Sequence, residues 1–188
     1  MKKTYTPEKL TVEYIRACTT HAVAKTLEVK GGIPPIFICY GRDRMVNLVA
    51  SQLADDEVKD QFVSTLRHIC IAEDAFAAVL VLESWISPAC TEKTGIRPSL
   101  ASDRQEFVVV QIEFPGNQGE MNHYPIIRDA NGKPSLGACS ISQPIKDCTG
   151  RFANFMPATP PTEGERIIAQ CLAQRNMQLM KVYPAKGN

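Results

Sequence analysis

Two nearly uninterrupted apolar runs decide what this chain can become. AFAAVLVLESWI occupies residues 75 to 86 and EFVVVQIEF residues 106 to 114. A strand with one wet face alternates apolar and polar residues. Runs without that alternation belong to strands covered on both faces, central in a sheet. The two are expected to pair, and helices must supply the covering layers. With 188 residues, 44% hydrophobic and 22% charged, the chain is long and apolar enough for one such domain.

Three segments offer those helices. Thr6-Pro7-Glu8 combines a capping hydroxyl, a proline suited to the first helical position and an acid for the first turn. Leu10, Tyr14, Cys18 and Ala22 then recur at four-residue spacing and Gly31-Gly32 stops the chain, which predicts a helix over about residues 7 to 29. Asp55 or Asp56 caps a second helix with Val58, Phe62, Leu66 and Ile69 as its stripe, widened by Val63 and Cys70. Thr162 to Glu165 has capping-box spacing, and Ile167, Ile168, Cys171 and Leu172 form the expected apolar side of a third.

The remaining strand signals are hairpins. IFICY and MVNLVA flank the polar turn Gly41 to Arg44, and HYPIIRDANGKPSLGACSIS carries the turn dipeptide Asn131-Gly132. Residues 144 to 161 read as irregular. The order is helix, hairpin, helix, four strands, helix. It predicts an α+β fold: one domain over 1–183, a largely antiparallel sheet of two to three hairpins flanked by three helices, and a frayed tail at 184–188.

Charge narrows the partners. The formal net charge is +1, and acids sit beside bases, as in Asp43 between Arg42 and Arg44. A chain that grips a phosphate backbone shows a basic excess or stripe, so nucleic acid is not the expected partner. The seven cysteines, at 18, 39, 70, 90, 139, 148 and 171, are odd in number and form no CxxC pair, unlike a secreted disulfide scaffold. Cys39, Cys70 and Cys171 lie in apolar stretches, where a thiol packs as a small hydrophobe. MKKTYTPEKL is not followed by a signal-peptide core, and no apolar run nears the ~20 residues that span a bilayer. The expectation is a soluble cytoplasmic protein.

Between the two apolar runs lie about twenty residues rich in Pro, Ser, Thr and Gly, a length that in compact domains goes with function or disorder. Asp103, Arg104 and Glu106 stand at its end, and Glu83 and Trp85 at its start. Arg104 is placed to pair with Glu106 or Glu83 across neighbouring strands, with Trp85 stacked on the guanidinium. Such a mouth, formed by the loop from 87 to 105, suits a small anionic or planar ligand. The same residues also suit a structural charge pair that fixes hairpin register.

Other constellations are weaker. Cys139 ends one arm of the expected Asn131-Gly132 hairpin and His123 lies on the other, opposite residue 140 by the turn arithmetic. A thiol needs a nearby base to become a nucleophile, so this pair is the candidate catalytic centre of a thiol-dependent hydrolase or amidase. Cys18-x-x-His21 shares one helix face, whereas His68-x-Cys70 points apart, and no metal site is expected. GxxxxGK[ST], GxGxxG after a strand, HExxH and GxSxG are missing, and Asp103-x-x-Glu106 lacks a nuclease's downstream lysine. No cofactor is implied.

Residues 76 to 114 resemble uncharacterised bacterial and phage proteins. In these a strand ending in Glu and Trp precedes a loop ending in Pro-Ser-x-x-x-Asp-Arg-x-Glu, here Pro98-Ser99 through Glu106, and a valine-rich strand follows. The resemblance implies a phage or mobile-element origin and carries no activity with it. The combined expectation is a small binding or regulatory protein, with a protein or a small anionic or planar ligand as partner, no membrane association, and homo-oligomerisation left open. The enzyme built on Cys139 and His123 is the alternative.

Overall fold

The two apolar runs form β3, Ala77–Ile86, and β4, Gln105–Phe114, paired antiparallel from Ala78↔Glu113 to Ile86↔Gln105. The computed structural model describes residues 10–50, 53, 55–87 and 100–180. IFICY and MVNLV become β1, Ile36–Tyr40, and β2, Met45–Val49, with β1 also pairing β3. β5, Gln118–Arg128, pairs β4, and β6, Pro134–Leu136, and β7, Ile141–Pro144, both pair β5. The sheet order is β2-β1-β3-β4-β5-β6, with β7 also on β5, and every pairing is antiparallel.

Three helices cover this sheet: α1, Val12–Lys30, α2, Asp56–Ala72, and α3, Glu163–Met180. Together they make the α+β arrangement that the element order predicts. Successive strand residues face opposite sides, and two cores result. Ala77, Val79 and Val81 of β3 and Val108, Val110 and Ile112 of β4 pack under α1, against Ile15, Val23 and Leu27. Phe37, Cys39, Ala78 and Leu80 face the other way, against Phe62, Leu66, Ile69 and Cys70 of α2 and Ala173 of α3.

Two helices are rotated from their expected setting. In α1 the buried row is Ile15, Thr19, Val23 and Leu27, while Tyr14, Cys18 and Ala22 are exposed. Two rows of four-residue spacing run side by side here. The row of Ile, Val and Leu withdraws more apolar area from water than Cys, Ala and a hydroxyl-bearing Tyr. The helix also starts later than expected: Thr11 caps it, accepting from the Tyr14 amide at 3.2 Å, and the expected Thr6-Pro7-Glu8 opening lies outside the described residues. In α3 the buried positions are Ala169 and Ala173, whose small side chains let it lie close on α2. Ile167, Ile168, Cys171 and Leu172 face out.

The caps of the other helix ends follow the chain chemistry. Asp55 accepts from the Val58 amide at 2.8 Å. Thr162 and Glu165 form a reciprocal capping box: the Thr162 amide donates to Glu165 at 2.7 Å and the Glu165 amide to the Thr162 hydroxyl at 3.3 Å.

The irregular stretch before α3 is held by one carboxylate. Glu113 of β4 is 1% exposed on the α2 side of the sheet. It accepts from the amides of Asn154 at 2.9 Å, Phe155 at 2.9 Å and Met156 at 3.0 Å, and from the Gln111 side chain at 2.5 Å. Gln111 in turn donates to the Phe152 carbonyl at 2.7 Å. This strap turns Phe155 edge-on to Phe37, with centroids 5.7 Å apart. Arg151 adds surface pairs to Asp56 at 2.8 Å and Asp60 at 2.9 Å on α2. Burial pushes the Glu113 carboxyl above its ordinary range, and its N–H donors pull part of that back.

Replacing Glu113 by leucine keeps the volume and removes the acceptor for three backbone amides. We expect a loss on the order of 3 kcal/mol in urea unfolding, since buried unsatisfied donors cost about 1–3 kcal/mol each. A loss under about 1 kcal/mol would show that water replaces the carboxylate.

Candidate functional site

The α1 face of the sheet is longer than the helix that covers it. Helix α1 ends at Lys30, with Gly31 in the left-handed conformation at its C-cap. Beyond it the inward rows continue through Glu83 and Trp85 of β3, Glu106 of β4 and Arg128 of β5. These share a face with Val81, Val108 and Ile126 by strand alternation. Glu83 closes the boundary, accepting from the Ile33 amide at 2.6 Å. The side chains past it form an open depression of about 420 Å³, lined by Trp85, Arg104, Glu106, Pro125, Ile126 and Arg128 together with Gln105.

Its floor and walls have defined partners. The Arg104 guanidinium lies over the Trp85 ring, 4.9 Å from the centroid. Trp85 stands directly opposite Glu106 in the β3–β4 register and is 38% exposed. Arg128 donates to Glu106 through Nε at 3.0 Å and Nη2 at 2.7 Å. Asp103 accepts a hydrogen bond from the Ser87 hydroxyl at the rim. The depression thus offers an aromatic plane, two guanidiniums and one carboxylate, a lining with one net positive charge.

Of the four sequence candidates at this mouth, Trp85, Arg104 and Glu106 line the depression, while Asp103 stands beside it, bonded to Ser87. Residues 88–99 of the loop expected to complete it lie outside the described residues. The expected pairing is redistributed: both carboxylates considered for Arg104 have other partners, Glu106 taking Arg128 and Glu83 the Ile33 amide. Arg128 was not among the candidates. Its signal was the β4–β5 hairpin: with Phe114↔Gln118 fixed by the Gly116-Asn117 turn, Arg128 falls on the same face as Glu106 and diagonal to it.

His123 and Cys139 are differently placed. The second arm of the Asn131-Gly132 hairpin does not run straight. It breaks after β6 and rejoins β5 as β7, so that His123 faces Ile141, one residue beyond the expected partner. Gly137 allows the break, because a Cβ there would lie 2.8 Å from Pro125 Cγ. The Cys139 thiol meets Asn122 Oδ1 at 3.7 Å and the Ile141 carbonyl at 3.3 Å. Asn122 and His123 are adjacent on β5, so their side chains point to opposite faces. His123 lies edge-on to Phe107 at 6.4 Å, and its buried Nδ1 has no partner among the described residues. Burial lowers its pKa, with the Ile141 backbone opposing part of that. The ring is half-buried, which disfavours its charged form.

Cys18 and His21 are both exposed on α1, and His68 is half-buried beside the fully buried Cys70. Burial first, and the neighbouring Cys39 thiol second, keep Cys70 protonated. Among the described residues no group of three His, Cys, Asp or Glu is set to hold a metal ion. Nor is any described helix long and apolar enough to cross a membrane. The six described cysteines are free thiols. Cys171, expected inside an apolar stretch, is exposed because α3 turns its alanines inward.

No family model, curated protein or solved structure matches this chain, and the resemblance of residues 76 to 114 to bacterial and phage proteins gains no family from these comparisons.

Two measurements follow from this geometry. Glu106→Gln removes one side of a half-exposed ion pair, so urea unfolding should shift by about 1 kcal/mol or less; a loss of about 3 kcal/mol would mark the pair as a support of the fold. In native protein, iodoacetamide should modify Cys18, Cys139 and Cys171 at similar rates and reach Cys39, Cys70 and Cys148 only after denaturation. A Cys139 roughly tenfold faster than Cys18 would reveal an activated thiolate that the placement of His123 does not account for.

Proposed function

We propose that this protein is a small binding or regulatory module whose ligand is a planar anionic molecule held at the depression beyond α1. The observation that carries this reading is the Arg104 guanidinium at 4.9 Å over a partly exposed Trp85, with Arg128 on the opposite wall. An aromatic plane with a cation on it gives a flat ring a place to stack, and a second guanidinium suits a carboxylate or phosphate at that ring's edge. The Glu106 carboxylate aims Arg128 from a neighbouring strand, and rigid strands hold geometry better than loops do.

The free thiols among the described residues agree with work in a reducing, cytoplasmic setting. The even mixture of charges favours a small ligand over a nucleic acid.

Trp85 is the one tryptophan of the chain, so fluorescence excited selectively at the tryptophan absorption edge, beyond the five tyrosines, reads this depression. Titration with nucleoside 5′-monophosphates, benzoate and inorganic phosphate should give saturable quenching by the planar anions and none by phosphate. Arg128→Ala should weaken the effect at least about tenfold, equivalent to ~1.4 kcal/mol. No saturable change with any planar anion, or quenching indifferent to Arg128→Ala and Arg104→Ala, would overturn the reading.

A further inference from the structure

Helix α3 buries alanines and leaves its large apolar residues outside. Ile168 is 63% exposed, Ile167 55% and Leu172 36%. Ile168 and Leu172 also border a hollow of about 300 Å³ that continues onto α2 and the strap through Ile71, Pro157 and Pro161. Contiguous apolar surface of this kind marks a contact site.

What covers it is written in the spacing along the helix. Glu165, Ile168, Leu172 and Arg175 are separated by three, four and three residues, which sets them in one row on a single face. The row is symmetric about residue 170. In an antiparallel pairing of α3 with its own copy, Ile168 falls opposite Leu172 of the partner, and Glu165 opposite Arg175. Two-fold symmetry makes each of these contacts twice. A parallel pairing would instead set Glu165 against Glu165 and Arg175 against Arg175.

The charges at both ends are available for this. Glu165 uses Oε2 for the Thr162 cap, which leaves Oε1 for a cation. Arg175 is exposed and forms no ion pair with the described residues. We propose that this protein forms a two-fold homodimer through antiparallel pairing of α3, with an apolar centre of Ile168 and Leu172 closed at each end by a Glu165–Arg175 pair. The hollow beside the helix receives the apolar side chains of the second copy.

The test is a charge swap on the full chain. Sedimentation equilibrium at roughly 100 μM, where a dimer of Kd about 10 μM holds most of the chains, should fit a monomer–dimer equilibrium with a monomer of 20.8 kDa for the wild type. Arg175→Glu carries two acids in the row and Glu165→Arg two bases, so each alone should sediment as monomer. Mixed, they should recover the dimer, since every end pair then has opposite signs. Circular dichroism melts distinguish a dissociated variant from an unfolded one. Ile168→Glu, at a position already exposed, should also give folded monomer. A monomeric wild type would overturn the proposal, as would a dimer that survives Ile168→Glu or singles that remain dimeric without the mixture.

Discussion

The described strap between β7 and α3 is fixed to the sheet by the bonds between Glu113 and three consecutive backbone amides. The carboxylate sits on a central strand and is 1% exposed. Its compensation comes from the amides of Asn154, Phe155 and Met156 and from Gln111. Such an arrangement is costly unless complete, because a buried acceptor and buried donors both lose their hydration. Complete, it fixes a segment with no regular secondary structure onto a sheet, seats Phe155 against Phe37, and sets where α3 begins. The packing of α3 on α2 is downstream of that choice.

The same carboxylate marks the limit of what the sequence conveys. Hairpin turns, caps and unbroken apolar strands are local signals, and β1 to β5 with both helix caps at Asp55 and Thr162 follow from them. Glu113 reads as the polar end of an apolar run, and only a contact forty residues away gives it a role. Helix faces are similarly non-local. In α1 two adjacent rows compete, and the choice falls to the sheet beneath. In α3 the apolar row and the buried row differ, because close approach to α2 rewards alanine over isoleucine.

The mouth at Trp85 was legible for a different reason. A long loop between paired strands must begin and end near one place, so Trp85 and Arg104 are brought together by connectivity alone. Arg128 required the third strand, and Cys139 required the irregularity after β6. Continuing the register of β6 would set His123 opposite Cys139; the break adds two residues, so Ile141 takes that place and Cys139 meets Asn122 instead.

The sheet also separates the two surfaces that invite partners. Trp85, Glu106 and Arg128 project on the α1 side, where the helix ends short of the strands. The row from Glu165 to Arg175 lies on the other side, on the outer surface of α3. Because seven paired strands stand between them, a copy seated on α3 leaves the depression beyond α1 open. β4 reaches from one to the other, with Glu106 at the depression and Glu113 at the strap. β3 spans the same distance, with Trp85 at the depression and Ala78 and Leu80 in the core that holds Phe155 and Ala173, so the sheet as a whole joins the two surfaces.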